Sequence, residues 1–249
     1  MQRVKCIVSY DGTLFSGYQV QPSKRTVQLE LEKALKQIHK GTDVRITASG
    51  RTDAGVHALG QVFHFDTPLT IAENRWTIAL NSLLNKEIVV LHSEFVPQDF
   101  HARYSVQKKE YRYKLNISPF PSPFTRNYAY HFPFPLNVAE MQKAADLLTG
   151  TFDFSSFCSA KTEVNDKVRS IYKISIKKTE DEVCFSFVGN GFLYNMVRIM
   201  TGTLIEVGQG KRRADDMVRL LALKDRQVTG KTAPAHGLYL WKVWYTNDN

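Results

Sequence analysis

Cysteine is scarce in this sequence and none of it is paired by spacing. Cys6, Cys158 and Cys184 lie far apart among 249 residues, with no C-x-x-C and an odd count. That argues against a disulfide framework and a cysteine-based zinc site. No apolar run reaches the roughly 18 residues that a spanning helix needs. Met1-Gln2-Arg3-Val4-Lys5 leads directly into a strand-like pattern, without the apolar core of a signal peptide. The expectation is a soluble cytoplasmic protein. Cofactor signatures are missing too. There is no GxxxxGK[ST], and Gly208-Gln209-Gly210-Lys211 lacks the hydroxyl residue that would follow. Neither GxGxxG after a strand nor GxSxG occurs, and the seven histidines form no HExxH or HxE with PCxxC. Any chemistry is therefore expected to run on ordinary side chains, with no metal and no cofactor.

What is present points to folded cores and an anionic partner. Hydrophobic residues make up 43% and aromatics 12%, too much for a disordered chain. The net charge is +9. It is uneven: residues 1–103 carry 12 basic and 10 acidic side chains, residues 104–249 carry 21 and 14. Basic groups stand at Lys108, Lys109, Arg112 and Lys114, at Lys211, Arg212 and Arg213, and at Lys224, Arg226 and Lys231. Each alone is compatible with a solvated surface; together they favour nucleic acid.

Periodicity predicts a strand at 4–10, a helix at 26–39, strands at 44–48 and 61–65, a helix at 71–83 and a strand at 88–95. This β-α-β-β-α-β order is that of ferredoxin-like folds. The second half repeats it loosely, with a strand at 104–117, a helix at 138–148, strands at 168–178 and 182–188, helices at 192–207 and 215–223, and a strand at 238–245. The fold class expected is α+β: two domains, 1–103 and 104–249, with antiparallel sheets side by side and a cleft between them.

Ser49 to Ala58 is the most informative stretch. Arg51 and Asp53 stand two residues apart between Gly50 and Gly55, with strand patterns on either side. Asp before Ala-Gly reads as a turn residue; a loop held between strands also presents a carboxylate rigidly. An ionised carboxylate is a nucleophile that needs no activating base. An arginine nearby would keep it ionised, and Arg51 and Arg198 are the candidates. Arg198 sits in an apolar helix pattern, where it either faces water or is paired. Tyr111 and Tyr113 share a strand face beside basic residues, as base stacking requires, and equally read as core tyrosines. His57 is either a substrate contact or a structural loop residue.

Tyr10-Asp11-Gly12-Thr13, Gly17-Tyr18-Gln19, Gly50-Arg51-Thr52-Asp53-Ala54-Gly55-Val56-His57-Ala58, Phe100-His101-Ala102-Arg103, Tyr111-Arg112-Tyr113, Asn195-Met196-Val197-Arg198, Ala233-Pro234 and Gly237-Leu238-Tyr239-Leu240 follow in one order. Together they resemble the bacterial TruA-type tRNA pseudouridine synthases over essentially the whole chain. Tyr18 departs from the tryptophan usual there. The resemblance implies isomerisation of uridine to pseudouridine at nucleotides 38, 39 and 40 of the tRNA anticodon stem-loop, two RRM-like domains, a homodimer and no cofactor. It further implies that Asp53 is the nucleophile and that Tyr111 packs on the target base. Arg198 would pair with Asp53, and Arg51 would fill the space left by the extruded nucleotide. The rival is a non-catalytic RNA-binding protein of two RRM-like domains, which gives no reason for the Arg-Thr-Asp loop.

Overall fold

The computed structural model describes residues 1–246 with the exception of residue 163. It is a mixed α/β fold that divides into two compact units. One comprises residues 1–107 together with 239–249, the other residues 108–238. The expected second domain, 104–249, thus gives up its last strand to the first unit.

In the first unit the elements are β1 (Gln2–Tyr10), α1 (Val27–Ile38), β2 (Thr47–Ala48), β3 (His57–Thr67), α2 (Glu73–Asn81) and β4 (Ile88–Val96), completed by β10 (Leu238–Tyr245). The sheet order is β4-β1-β3-β10, with β2 on β3. The pairs β1–β3, β1–β4 and β2–β3 are antiparallel, but β10 runs parallel to β3. The expectation of a purely antiparallel sheet therefore fails at this strand. No hairpin joins β3 and β10, and a long connection leaves the parallel direction open. Gly60 permits the approach: a Cβ there would stand 2.7 Å from the Trp241 carbonyl oxygen.

Alternation decides which way the strands face. Val4, Cys6, Val8, Phe63 and Phe65 are fully buried, as are Val27, Leu31, Leu35, Trp76 and Leu80 of the two helices. Phe65 meets Trp76 edge-on at 5.1 Å. Each such side chain contributes about 1.5–3 kcal/mol of transfer free energy. Thr26 caps α1 by accepting the Leu29 N–H. The strand expected at 44–48 shrinks to two residues because the Glu32 carboxylate captures the Ile46 N–H at 3.3 Å and the Arg45 guanidinium at 3.0 Å.

The second unit contains β5 (Val106–Asn116), β6 (Tyr130–His131), α3 (Val138–Leu147), β7 (Gly150–Asp153), β8 (Val168–Lys178), β9 (Glu182–Gly189), α4 (Met196–Gly208) and α5 (Asp216–Leu223). Its sheet order is β5-β9-β8-β7, with the two-residue β6 parallel to β5. Helix α3 packs on β8 and on α4. Tyr113, Leu115, Phe185, Phe187, Met141, Leu204 and Met217 are fully buried.

Candidate active site

In the first unit, residues 49–56 form the loop between β2 and β3, and its backbone is fixed at several points. The Thr52 carbonyl accepts the Tyr18 N–H at 3.0 Å, and the Phe15 carbonyl accepts the Gly55 N–H at 3.4 Å. The Thr52 and Tyr10 hydroxyls bond at 2.8 Å. From β3, Gln61 Oε1 accepts a hydrogen bond from the Ser49 hydroxyl at 2.6 Å, and its Nε2 donates to the Gly50 carbonyl at 2.9 Å. Burial keeps the Tyr10 phenol protonated, its pKa raised despite its hydrogen bonds.

Asp53 opens a turn in this loop: the Val56 N–H bonds the Asp53 carbonyl at 3.1 Å, with Gly55 at φ 75°. The turn reading is thus correct, and its side chain is half-buried. Arg51 is exposed. His57 is 2% exposed; its Nδ1 accepts the Gly12 N–H at 3.0 Å and its ring stacks on Tyr239 at 4.8 Å. It is a structural residue at the start of β3.

The 11–18 segment is moulded to the loop. Asp11 caps the turn at 12–14 by accepting the Thr13 N–H at 2.9 Å. A Cβ on Gly12 would stand 2.0 Å from the Val56 carbonyl oxygen, and one on Gly17 2.9 Å from that of Thr52. Tyr10, Gln61 and the two glycines are the positioning residues that sequence reasoning missed. Gln61, a polar residue inside an apolar strand run, was the visible signal.

In the second unit, Tyr111 lies on β5 opposite Phe187, 9% exposed, with Phe192 against it edge-on at 5.1 Å. Tyr113 is a core tyrosine whose hydroxyl donates to the Pro234 carbonyl at 2.8 Å. Arg198, in the first turn of α4, is half-buried. Its Nε donates to the Ala233 carbonyl at 2.7 Å and its Nη1 to Asn195 Oδ1 at 2.8 Å. The Ala233 N–H returns a bond to the Arg198 carbonyl at 3.1 Å.

The basic groups divide between structure and surface. Arg212 grips Glu206 through Nε and Nη2 at 3.2 and 3.0 Å. Arg226 donates to the hydroxyls of Thr229 and Thr232, both at 2.9 Å. Lys224 pairs with Asp153 at 2.9 Å, and that contact with the Ser155 hydroxyl holds the carboxyl down to about 2. Arg112 is tied to Glu110 at 2.6 Å. Alternation puts Arg112 on the face opposite Tyr111 and Lys109 on the same one.

Among the described residues no three His, Cys, Asp or Glu side chains are grouped to hold a metal ion, and no helix is long and apolar enough to cross a membrane. Cys6 and Cys158 are buried and Cys184 half-buried. Burial raises all three thiols, with Glu94 adding to the effect at Cys6.

The model of one protein family, described as tRNA pseudouridine synthase, matches residues 6–105 and 144–246. The tRNA pseudouridine synthase A of Geobacillus sp. (strain WCH70) is 56% identical over 246 residues, 99% of each chain. That of Anoxybacillus flavithermus is 58% identical over 247 residues, 99% of this chain and 100% of the relative. Such identity over the full length decides between the enzyme and the non-catalytic binder: this chain is an isomerase and belongs to the tRNA pseudouridine synthase family.

Proposed function

We propose that this isomerase converts uridine to pseudouridine at nucleotides 38, 39 and 40 of the tRNA anticodon stem-loop, with Asp53 as its nucleophile. The reaction breaks the bond between N1 and C1′, turns the base, joins C5 to C1′, releases the C5 hydrogen as a proton and leaves N1 to take one up, so the atoms balance. It needs a nucleophile and an extruded base, and no redox agent. The observation that carries the reading is the anchoring of the Asp53 loop. Thr52 is held through its carbonyl by Tyr18 and through its hydroxyl by Tyr10, so the next residue is presented from a fixed backbone. Asp53 then attacks C6 of the base or C1′ of the ribose.

Arg198 is the cation that pairs with Asp53 and keeps it ionised. Tyr111 packs on the target base, and Arg51, exposed two residues before Asp53, fills the gap left in the RNA. The two units act as ferredoxin-like, RRM-like domains. The enzyme works as a homodimer in the cytoplasm, with no cofactor and no metal. Flipping a base costs a few kcal/mol, which contacts of the remaining lysines with phosphates offset.

The test is tritium release from tRNA transcribed with [5-³H]uridine, followed by mapping of the modified nucleotides. Release confined to nucleotides 38–40 supports the reading. Release from other positions, or pseudouridine absent from all three, overturns it.

A further inference from the structure

Asn195 stands immediately before α4 in a left-handed backbone conformation, φ 61° and ψ 5°. Four described non-glycine residues have positive φ; Ser23, Lys40 and Lys224 are the others. Lys40 follows α1, Lys224 ends α5, and Ser23 lies in a turn, the places where such conformations ordinarily occur. Asn195 begins a helix, where extended backbone is the rule and an asparagine side chain would accept an N–H of the first turn. It makes no such bond; its Oδ1 accepts Arg198 Nη1 at 2.8 Å instead.

We infer that Asn195 is a positioning residue, held in strained backbone so that its amide aims the Arg198 guanidinium. The inference rests on the proposed role of Arg198 beside Asp53. Two acceptors on different segments fix the guanidinium plane: Ala233 O takes Nε and Asn195 Oδ1 takes Nη1. The Ala233 side of the clamp is rigid. The 230–233 segment lies directly on α4, where a Cβ on Gly202 would stand 1.8 Å from the Lys231 carbonyl oxygen, and the Gly230 N–H bonds Thr203 Oγ1 at 3.0 Å. The Asn195 side depends on one amide, which in this left-handed backbone caps no first-turn N–H and accepts instead from the guanidinium three positions on. A local conformation that costs stability and gives up a helix cap, yet satisfies one arginine, belongs to function rather than to folding.

Glycine separates these roles, because it adopts positive φ without strain but carries no amide. Asn195→Gly should keep or raise Tm, leave KM for tRNA within about twofold and lower kcat by about tenfold or more, since small misplacement of a charged group is costly. Asn195→Asp retains an acceptor at the same point and tolerates the same backbone, so its kcat should exceed that of the glycine variant. Parental kcat in Asn195→Gly overturns the inference, as does a fall in Tm with a rise in KM alongside the loss of kcat, or an Asp variant no better than glycine. Arg198→Ala run alongside keeps the two readings apart. If it is inactive while Asn195→Gly is fully active, only the inference fails; if it retains parental kcat, the role of Arg198 itself is wrong.

Discussion

The backbone N–H of Gly12 donates to Nδ1 of His57 across 3.0 Å, and Asp11 Oδ1 stands 3.2 Å from the same nitrogen. The same ring stacks on Tyr239 and sits four residues after Asp53. His57→Ala removes an acceptor and a packed ring at once. The expected loss is about 2–4 kcal/mol, a fall of roughly 5–15 °C in Tm. Calorimetry checks this, and a Tm within about 2 °C of the parent contradicts the structural assignment.

Gly12 touches the same loop from the other side. With a Cβ placed 2.0 Å from the Val56 carbonyl oxygen, Gly12→Ala must displace the backbone that carries Asp53. Turnover should fall by roughly 100-fold while tRNA affinity stays near the parent's. Single-turnover rates and filter binding separate the two; parental kcat would show that the loop does not need this contact.

Much of this was legible in the sequence. Strand and helix order in the first unit followed from periodicity, and β8, β9 and β10 fell within a residue of their expected bounds. The misreadings are local and physical. The helix expected from 192 begins at 196, because Asn195 turns left-handed. The strand expected from 61 begins at His57; Gly60 and the buried polar His57 hid the pattern of its first residues. The place of β10 in the first sheet depends on pairing with a strand far earlier in the chain, which no local pattern encodes. Asp53 stood out as the lone acid in its string. The residues that hold its loop did not, because a hydrogen bond from Tyr18 to a carbonyl leaves no mark on sequence.

His64 makes stability depend on pH. Its Nδ1 accepts the Ala102 N–H at 3.1 Å. Burial first, then the charges of Arg3 and His101, lower its pKa from 6.5 to about 4. The unfolded chain therefore binds the proton before the folded one does. Stability should fall as pH drops from about 6.5 to about 4. His64→Gln should flatten that part of the profile. Chemical denaturation at pH 7 and pH 5 tests it, and an equal loss in parent and variant would contradict it.

Tyr111 should act through its ring. It packs edge-on against Phe192, and a base stacked on an aromatic ring contributes roughly 1–3 kcal/mol. Tyr111→Phe should bind tRNA as the parent does, and Tyr111→Ala should weaken capture of the flipped uridine by about 10–100-fold. Should Phe lose the chemistry as fully as Ala, the hydroxyl takes part in proton transfer.

The most direct measurement is tritium release by Asp53→Asn. Asparagine preserves size and hydrogen-bond acceptance, and the turn that Asp53 opens uses its backbone carbonyl, so the fold should persist. An amide cannot form the adduct. The account predicts parental circular dichroism and near-parental tRNA affinity, with no pseudouridine above background. A folded Asp53→Asn protein turning over within about tenfold of the parent would contradict it, because removal of the nucleophile must cost far more than that.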